Sequence, residues 1–96
     1  MALTIVWSEE AEKQLDEIIE YFNEHWSDNE ISKFFQRLEE GLEQISIDPH
    51  RNKDSERKKN TKEFQLSSHA TIFYSFSKTT VQILLLWVNK KDPLNL

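Results

Sequence analysis

Apolar residues recur at helical spacing through the first half of the chain and alternate with polar ones through most of the second, with a break at Asp48-Pro49. Leu3 to Trp7, rich in β-branched and aromatic side chains, predicts a short strand. Ser8 then offers an N-cap hydroxyl, and Glu9 and Glu10 fall in the first turn, where the helix dipole favours anions. Ala11, Leu15, Ile18, Ile19, Phe22 and Trp26 follow on one helical face, with Glu12, Lys13, Asp16, Glu17 and Glu20 on the other. Ser27-Asp28-Asn29-Glu30 has capping-box spacing, so a second helix starts almost where the first stops. Its apolar face is Ile31, Phe34, Phe35, Leu38, Leu42 and Ile45, and so short a connection implies an antiparallel hairpin. Gly41, the only glycine, costs about 1 kcal/mol in a helix interior and points to the close approach of another element. Asp48 precedes proline and is pushed out of the α region, which ends the helix.

Residues 50–61 contain no apolar side chain and predict a mobile surface loop. The period then becomes two. Phe64 and Leu66 alternate with Glu63 and Gln65; Ala70 to Phe76 and Val81 to Val88 form two more strands, with turns at Ser67-Ser68-His69 and Ser77-Lys78-Thr79-Thr80. The order is β-α-α-β-β-β, an α+β fold in which an antiparallel sheet carries the N-terminal helical hairpin on one face. Ile83 to Val88 is apolar without interruption, which places this strand in the sheet interior. Helices on one side leave the second sheet face short of a cover, and Leu84, Leu86 and Val88 are expected to meet a partner chain there.

At 96 residues the chain is one domain, 1–96, too small to enclose a deep cavity, so any site is a shallow surface. The absence of cysteine excludes disulfide frameworks and thiolate metal sites and suits a reducing cytoplasm. The N-terminus lacks the pattern of a signal peptide, and no run approaches a membrane span, so a soluble cytoplasmic protein is expected. The net charge of −5 is unevenly placed: residues 1–47 hold three basic and twelve acidic residues, residues 48–96 nine basic and five acidic. A nucleic-acid or ribosome partner therefore stays compatible with an acidic chain, because phosphate responds to the local patch and not to the mean.

No phosphate-cradling glycine loop, nucleophile elbow or metal-ligand spacing appears, and no cofactor or metal is expected. His25, His50 and His69 sit apart at a helix end, in the loop and in a turn. Arg51, Lys53, Arg57, Lys58, Lys59 and Lys62 supply half of the twelve cationic residues. They form either a patch for phosphate or an acidic partner, or a solvated loop that guards a sheet edge.

In order and spacing, Trp7-Ser8-Glu9-Glu10-Ala11, Ile18-Ile19-Glu20-Tyr21, His69-Ala70-Thr71-Ile72-Phe73-Tyr74, Val81-Gln82-Ile83-Leu84 and Asn89-Lys90-Lys91-Asp92-Pro93 resemble the RelE/ParE family of bacterial toxins, over essentially the whole chain. The resemblance implies the toxin of a type II toxin–antitoxin module, linked to growth inhibition and plasmid stabilisation. It also implies a cognate antitoxin that silences the toxin, with a homodimer or a toxin–antitoxin heterotetramer as the assembly. Antitoxin contact then falls to Leu84, Leu86 and Val88, and target contact to Arg57, Lys58, Lys59, Lys62, Asn89, Lys90, Lys91 and Asp92.

The family has two modes of action. RelE-like members cut messenger RNA on the ribosome, a reaction that needs an acid, a base and cations around phosphate; here Lys59, Lys62, His69, Tyr74 and Lys90 are the candidates. ParE-like members bind DNA gyrase. The chain after the last strand has neither His nor Tyr, so the C-terminal proton-transfer positions of the nuclease branch are unfilled and the ParE-like reading leads. A ribosome-dependent endonuclease and a non-toxic interaction module are the alternatives.

Overall fold

A computed structural model describes residues 2–56, 59–67 and 70–88. Strand β1 (Thr4–Trp7) leads into helices α1 (Glu9–His25) and α2 (Asp28–Ile47), followed by strands β2 (Lys53–Asp54), β3 (Lys62–Ser67), β4 (Ala70–Phe76) and β5 (Thr80–Val88). Both helices start where the caps predict. The Ser8 hydroxyl accepts from the Ala11 amide at 3.0 Å. At Ser27 the capping box closes reciprocally: the Glu30 amide donates to the Ser27 hydroxyl and the Ser27 amide to the Glu30 carboxylate. With Trp26 and Ser27 extended, the chain reverses in two residues. Aromatic packing fixes the hairpin, with Trp26 stacked on Phe22 at 3.9 Å and Phe34 edge-on to Phe22 at 4.9 Å.

The sheet order is β1-β5-β4-β3-β2. The expected antiparallel meander is present in β3, β4 and β5, and β1 joins it parallel to β5, so the five-stranded sheet is mixed. β5 is thus interior, flanked by β1 and β4. Ala11, Ile18, Phe22, Phe34, Leu38 and Ile45 from the helices meet Leu66, Ala70, Ile72, Tyr74, Val81, Ile83 and Leu86 from the sheet in one core. Gly41 lies where β3 approaches α2; a Cβ there would stand 2.8 Å from the Phe64 ring.

Two features depart from the alternation read in the sequence. Residues 50–61 are not a featureless loop: Lys53 and Asp54 pair with Glu63 and Lys62 as an edge strand, and Thr61 is buried. Being wholly polar, this segment gives no periodic signal. The second departure is a bulge in β5. Tyr74 lies opposite Ile83 while Phe73 lies opposite Leu85, which leaves Leu84 as the extra residue. Helix α1 holds that bulge: the Ser8 hydroxyl donates to the Leu84 carbonyl at 2.9 Å, and the Leu86 amide donates to the Gln14 side chain at 2.9 Å.

Candidate functional site

Three surfaces carry the residues singled out above. The first is a polar cluster beneath the C-terminal end of α2. Tyr74 points to the helical side of β4 and is fully buried. Its hydroxyl donates to the Pro49 carbonyl at 2.7 Å and accepts from the Asn52 amide group at 3.1 Å. Burial pushes its pKa above the ordinary value, opposed by the Asn52 hydrogen bond and by the charge of Lys62. Lys62 donates to the Asn52 carbonyl and to the Asp54 carboxylate, both at 2.9 Å. The cluster ties the chain after α2 to β2, β3 and β4.

The second surface is the basic segment. Arg51, Lys53 and Lys59 are exposed, whereas the side chain of Lys62 is only 18% exposed. Asn60 takes a positive φ of 57°, which asparagine tolerates, and turns the chain into Thr61 and β3. Of the proton-transfer and target-contact candidates, Lys59, Lys62 and Tyr74 are described, while Arg57, Lys58, His69, Asn89, Lys90, Lys91 and Asp92 lie outside the described residues. Tyr74 and Lys62 share the polar cluster; Lys59 stands apart on the surface. Among the described residues no group of three His, Asp or Glu side chains could hold a metal ion, and no helix is long and apolar enough to cross a membrane.

The third surface is the sheet face away from the helices. Residues directly opposite one another across a sheet share a face. The register therefore places Val6, Gln82 and Ser75 in one row of this outer face, Glu63, Phe73 and Leu85 in another, and Gln65, Thr71 and Trp87 in a third. Trp87 is 47% exposed and Val6 44%, the two large apolar side chains open on the sheet. Phe73 is buried yet stands outside the main core, as its outward direction requires.

This register corrects the expected docking set of Leu84, Leu86 and Val88. Leu86 is 1% exposed and belongs to the core, Val88 packs against that core, and Leu84 is half-buried at the bulge. One inserted residue moves the outward positions from Leu86 and Val88 to Leu85 and Trp87. An unbroken apolar run carries no parity, so no signal within Ile83 to Val88 announces the shift.

Residues 5–93 match the model of a family described as the ParE toxin of the type II toxin–antitoxin system parDE. No curated protein matches the chain. Among solved structures, the chromosomal ParDE toxin–antitoxin system from P. aeruginosa superposes with a TM-score of 0.74 at 15% identity, over 93% of this chain and 98% of that one. The YoeB dimer from Staphylococcus aureus superposes with a TM-score of 0.62 at 16% identity, over 93% and 99% of the two chains.

Proposed function

This chain belongs to the ParE toxin family of type II toxin–antitoxin systems, and from that premise we propose that it halts growth by binding a macromolecular target of the DNA gyrase kind until a cognate antitoxin covers it. The observation that favours binding over messenger cleavage is the polar cluster. A nuclease base must reach a 2′-hydroxyl and its cation must reach phosphate. The Tyr74 hydroxyl instead faces the helices and is held by Pro49 and Asn52, while the Lys62 ammonium is shared between Asn52 and Asp54.

Target contact then falls to the exposed cations of the segment that includes Lys59, together with Arg57, Lys58 and the Asn89 to Asp92 tail. The antitoxin is assigned to the outer sheet face around Leu85, Trp87 and Val6, an apolar patch rimmed by Glu63, Gln65, Gln82 and Ser75. The neutralised assembly is a toxin–antitoxin complex in the cytoplasm. Expression of the chain without its antitoxin tests the reading. Growth arrest with a DNA-damage response and intact messages is expected; rapid messenger cleavage at the ribosomal A site would establish the nuclease mode, and unimpaired growth would leave a non-toxic interaction module. Substituting Arg57, Lys58 and Lys59 by glutamate should abolish the arrest.

A further inference from the structure

The two edges of the sheet are built differently. β2, at one edge, is two residues long and both are charged, which blunts it against pairing with another chain. β1, at the other, reads Thr4-Ile5-Val6-Trp7, with neither charge nor proline, and no strand covers its far side among the described residues. The amides of Thr4 and Ser8 donate toward β5, to the Thr79 and Ile83 carbonyls. By the alternation of a strand, the amides of Ile5 and Trp7 point the other way, where no acceptor meets them among the described residues. Farther back, the Leu3 amide is already used: it donates to the Ser46 carbonyl at the end of α2.

This edge is self-complementary in one register. In an antiparallel pair, opposed residues that exchange both N–H···O=C bonds alternate with opposed residues that exchange none. With Leu3 occupied, the free donors are Ile5 and Trp7, so Ile5 pairs with Trp7 of a second copy and Trp7 with its Ile5, about a two-fold axis at Val6. Val6 then faces Val6 of the second copy in a pair without hydrogen bonds, where side chains come closest. Val6 is one of three large apolar side chains exposed among the described residues, and another, Ile47, stands beside the same edge, next to Ser46. Charge fits an antiparallel partner. Exposed Glu9 and Glu10 follow one end of β1, and exposed Lys78 lies at the other, next to the Thr79 that binds Thr4. The two-fold brings Glu9 and Glu10 toward Lys78 of the second copy. Asp48, two residues past Ser46, offsets part of that attraction, so the charges set the direction of pairing while the backbone bonds and the valine contact hold it.

We propose that β1 binds β1 of a second copy of this chain, joining the two sheets edge to edge through the Ile5 and Trp7 pairs with Val6 on the axis. An edge this short belongs with interfaces below about 1,200 Å², so the pair is weak and exchanges with the free chain. The two-fold sets the outer faces of both sheets on the same side, with the two Val6 side chains at the seam. Neither the growth target nor toxicity enters this contact.

The chain has no cysteine, so single thiols report the register. At the Val6 pair the Cα atoms would stand about 4.5 Å apart, a distance a disulfide spans, whereas the two Thr4 residues would be offset by about 13 Å along the strands. Under mild oxidation of the purified full chain, free of antitoxin, Val6→Cys should form an intermolecular disulfide roughly tenfold faster, or more, than Thr4→Cys or Trp87→Cys. As the wild-type concentration rises toward about 1 mM, sedimentation should shift toward a dimer and hydrogen exchange at the Ile5 and Trp7 amides should slow. Val6→Lys, which sets like charges on the axis, should stay monomeric. Equal oxidation rates for Val6→Cys and Thr4→Cys, or a wild-type chain that stays monomeric with unchanged exchange at Ile5 and Trp7, would overturn the proposal. So would faster cross-linking through Trp87→Cys, which would make the outer face the contact, or protection of those amides by the antitoxin and not by concentration, which would give the edge to the antitoxin. If Val6→Cys misfolds, exchange and sedimentation of the wild type decide.

Discussion

The hydroxyl of Ser8 joins the first turn of α1 to the bulge of β5: it accepts from the Ala11 amide at 3.0 Å and donates to the Leu84 carbonyl at 2.9 Å. Loss of an N-cap alone costs about 1 kcal/mol, and an unmade hydrogen bond to a partly buried carbonyl adds about 1 kcal/mol or more. Ser8→Ala should therefore destabilise by about 2 kcal/mol. Ser27→Ala, at an exposed cap with no tertiary contact, should cost about half as much. Urea denaturation of both variants gives the comparison, and equal losses would mean that the Leu84 bond contributes nothing.

Tyr74 makes stability depend on pH at the alkaline end. Burial raises its folded pKa above the ordinary value near 10, so folding favours the neutral phenol. That contribution is fully present below about pH 10 and is lost as pH rises through the folded pKa. Wild-type stability should fall above that pH in step with phenolate absorbance, and Tyr74→Phe should flatten the fall. The same substitution leaves Pro49 and Asn52 without their partner, costing about 1–3 kcal/mol at neutral pH. A Tyr74→Phe chain that loses stability with the wild-type alkaline profile would exclude this account.

The contrast between Ser8 and Tyr74 explains what can be read from a sequence. Ser8, Ser27 and Pro49 mark helix ends because capping and proline sterics are local, and the 3.6-residue stripes of α1 and α2 name their buried faces directly. The bulge at Leu84 was invisible because Ile83 to Val88 is apolar at every position, so either parity reads equally well. β2 was invisible for the opposite reason: Lys53 and Asp54 gain their strand from Lys62 and Glu63, which lie in the next element. Tyr74 reads as an aromatic strand residue and a proton-transfer candidate, and the partners that capture its hydroxyl, Pro49 and Asn52, are distant in sequence. Functional candidates suffered most, since outward direction and polar capture are tertiary facts.

Gly41 and Phe64 form a contact whose sign can be measured. Alanine in place of a helical glycine gains about 1 kcal/mol, but here the new Cβ meets the Phe64 ring at 2.8 Å, and overpacking costs about 1–3 kcal/mol. Gly41→Ala should therefore be net destabilising in the wild type. In a Phe64→Leu background the obstacle shrinks, and the same substitution should become stabilising by up to about 1 kcal/mol. A double-mutant cycle by chemical denaturation reads both signs. Additive effects would show that the ring yields without cost.

Adjacent residues of β5 face opposite sides of the sheet, and the bulge decides which of them faces out, which bears on antitoxin recognition. Trp87 is half exposed on the outer face, whereas Leu86 is 1% exposed in the core. Leu86→Glu would bury an unpaired charge and should unfold the chain. Trp87→Glu, alone or with Val6→Lys, should keep the fold, with a stability change of about 1 kcal/mol or less, because both side chains reach solvent. If the outer face holds the antitoxin, Trp87→Glu should weaken that complex by about 2 kcal/mol, roughly thirtyfold, as truncation of a central aromatic anchor does. Calorimetric titration of the antitoxin measures the loss, and co-expression should show growth arrest that the antitoxin no longer relieves. A Trp87→Glu chain bound and neutralised like the wild type would remove Trp87 from the interface.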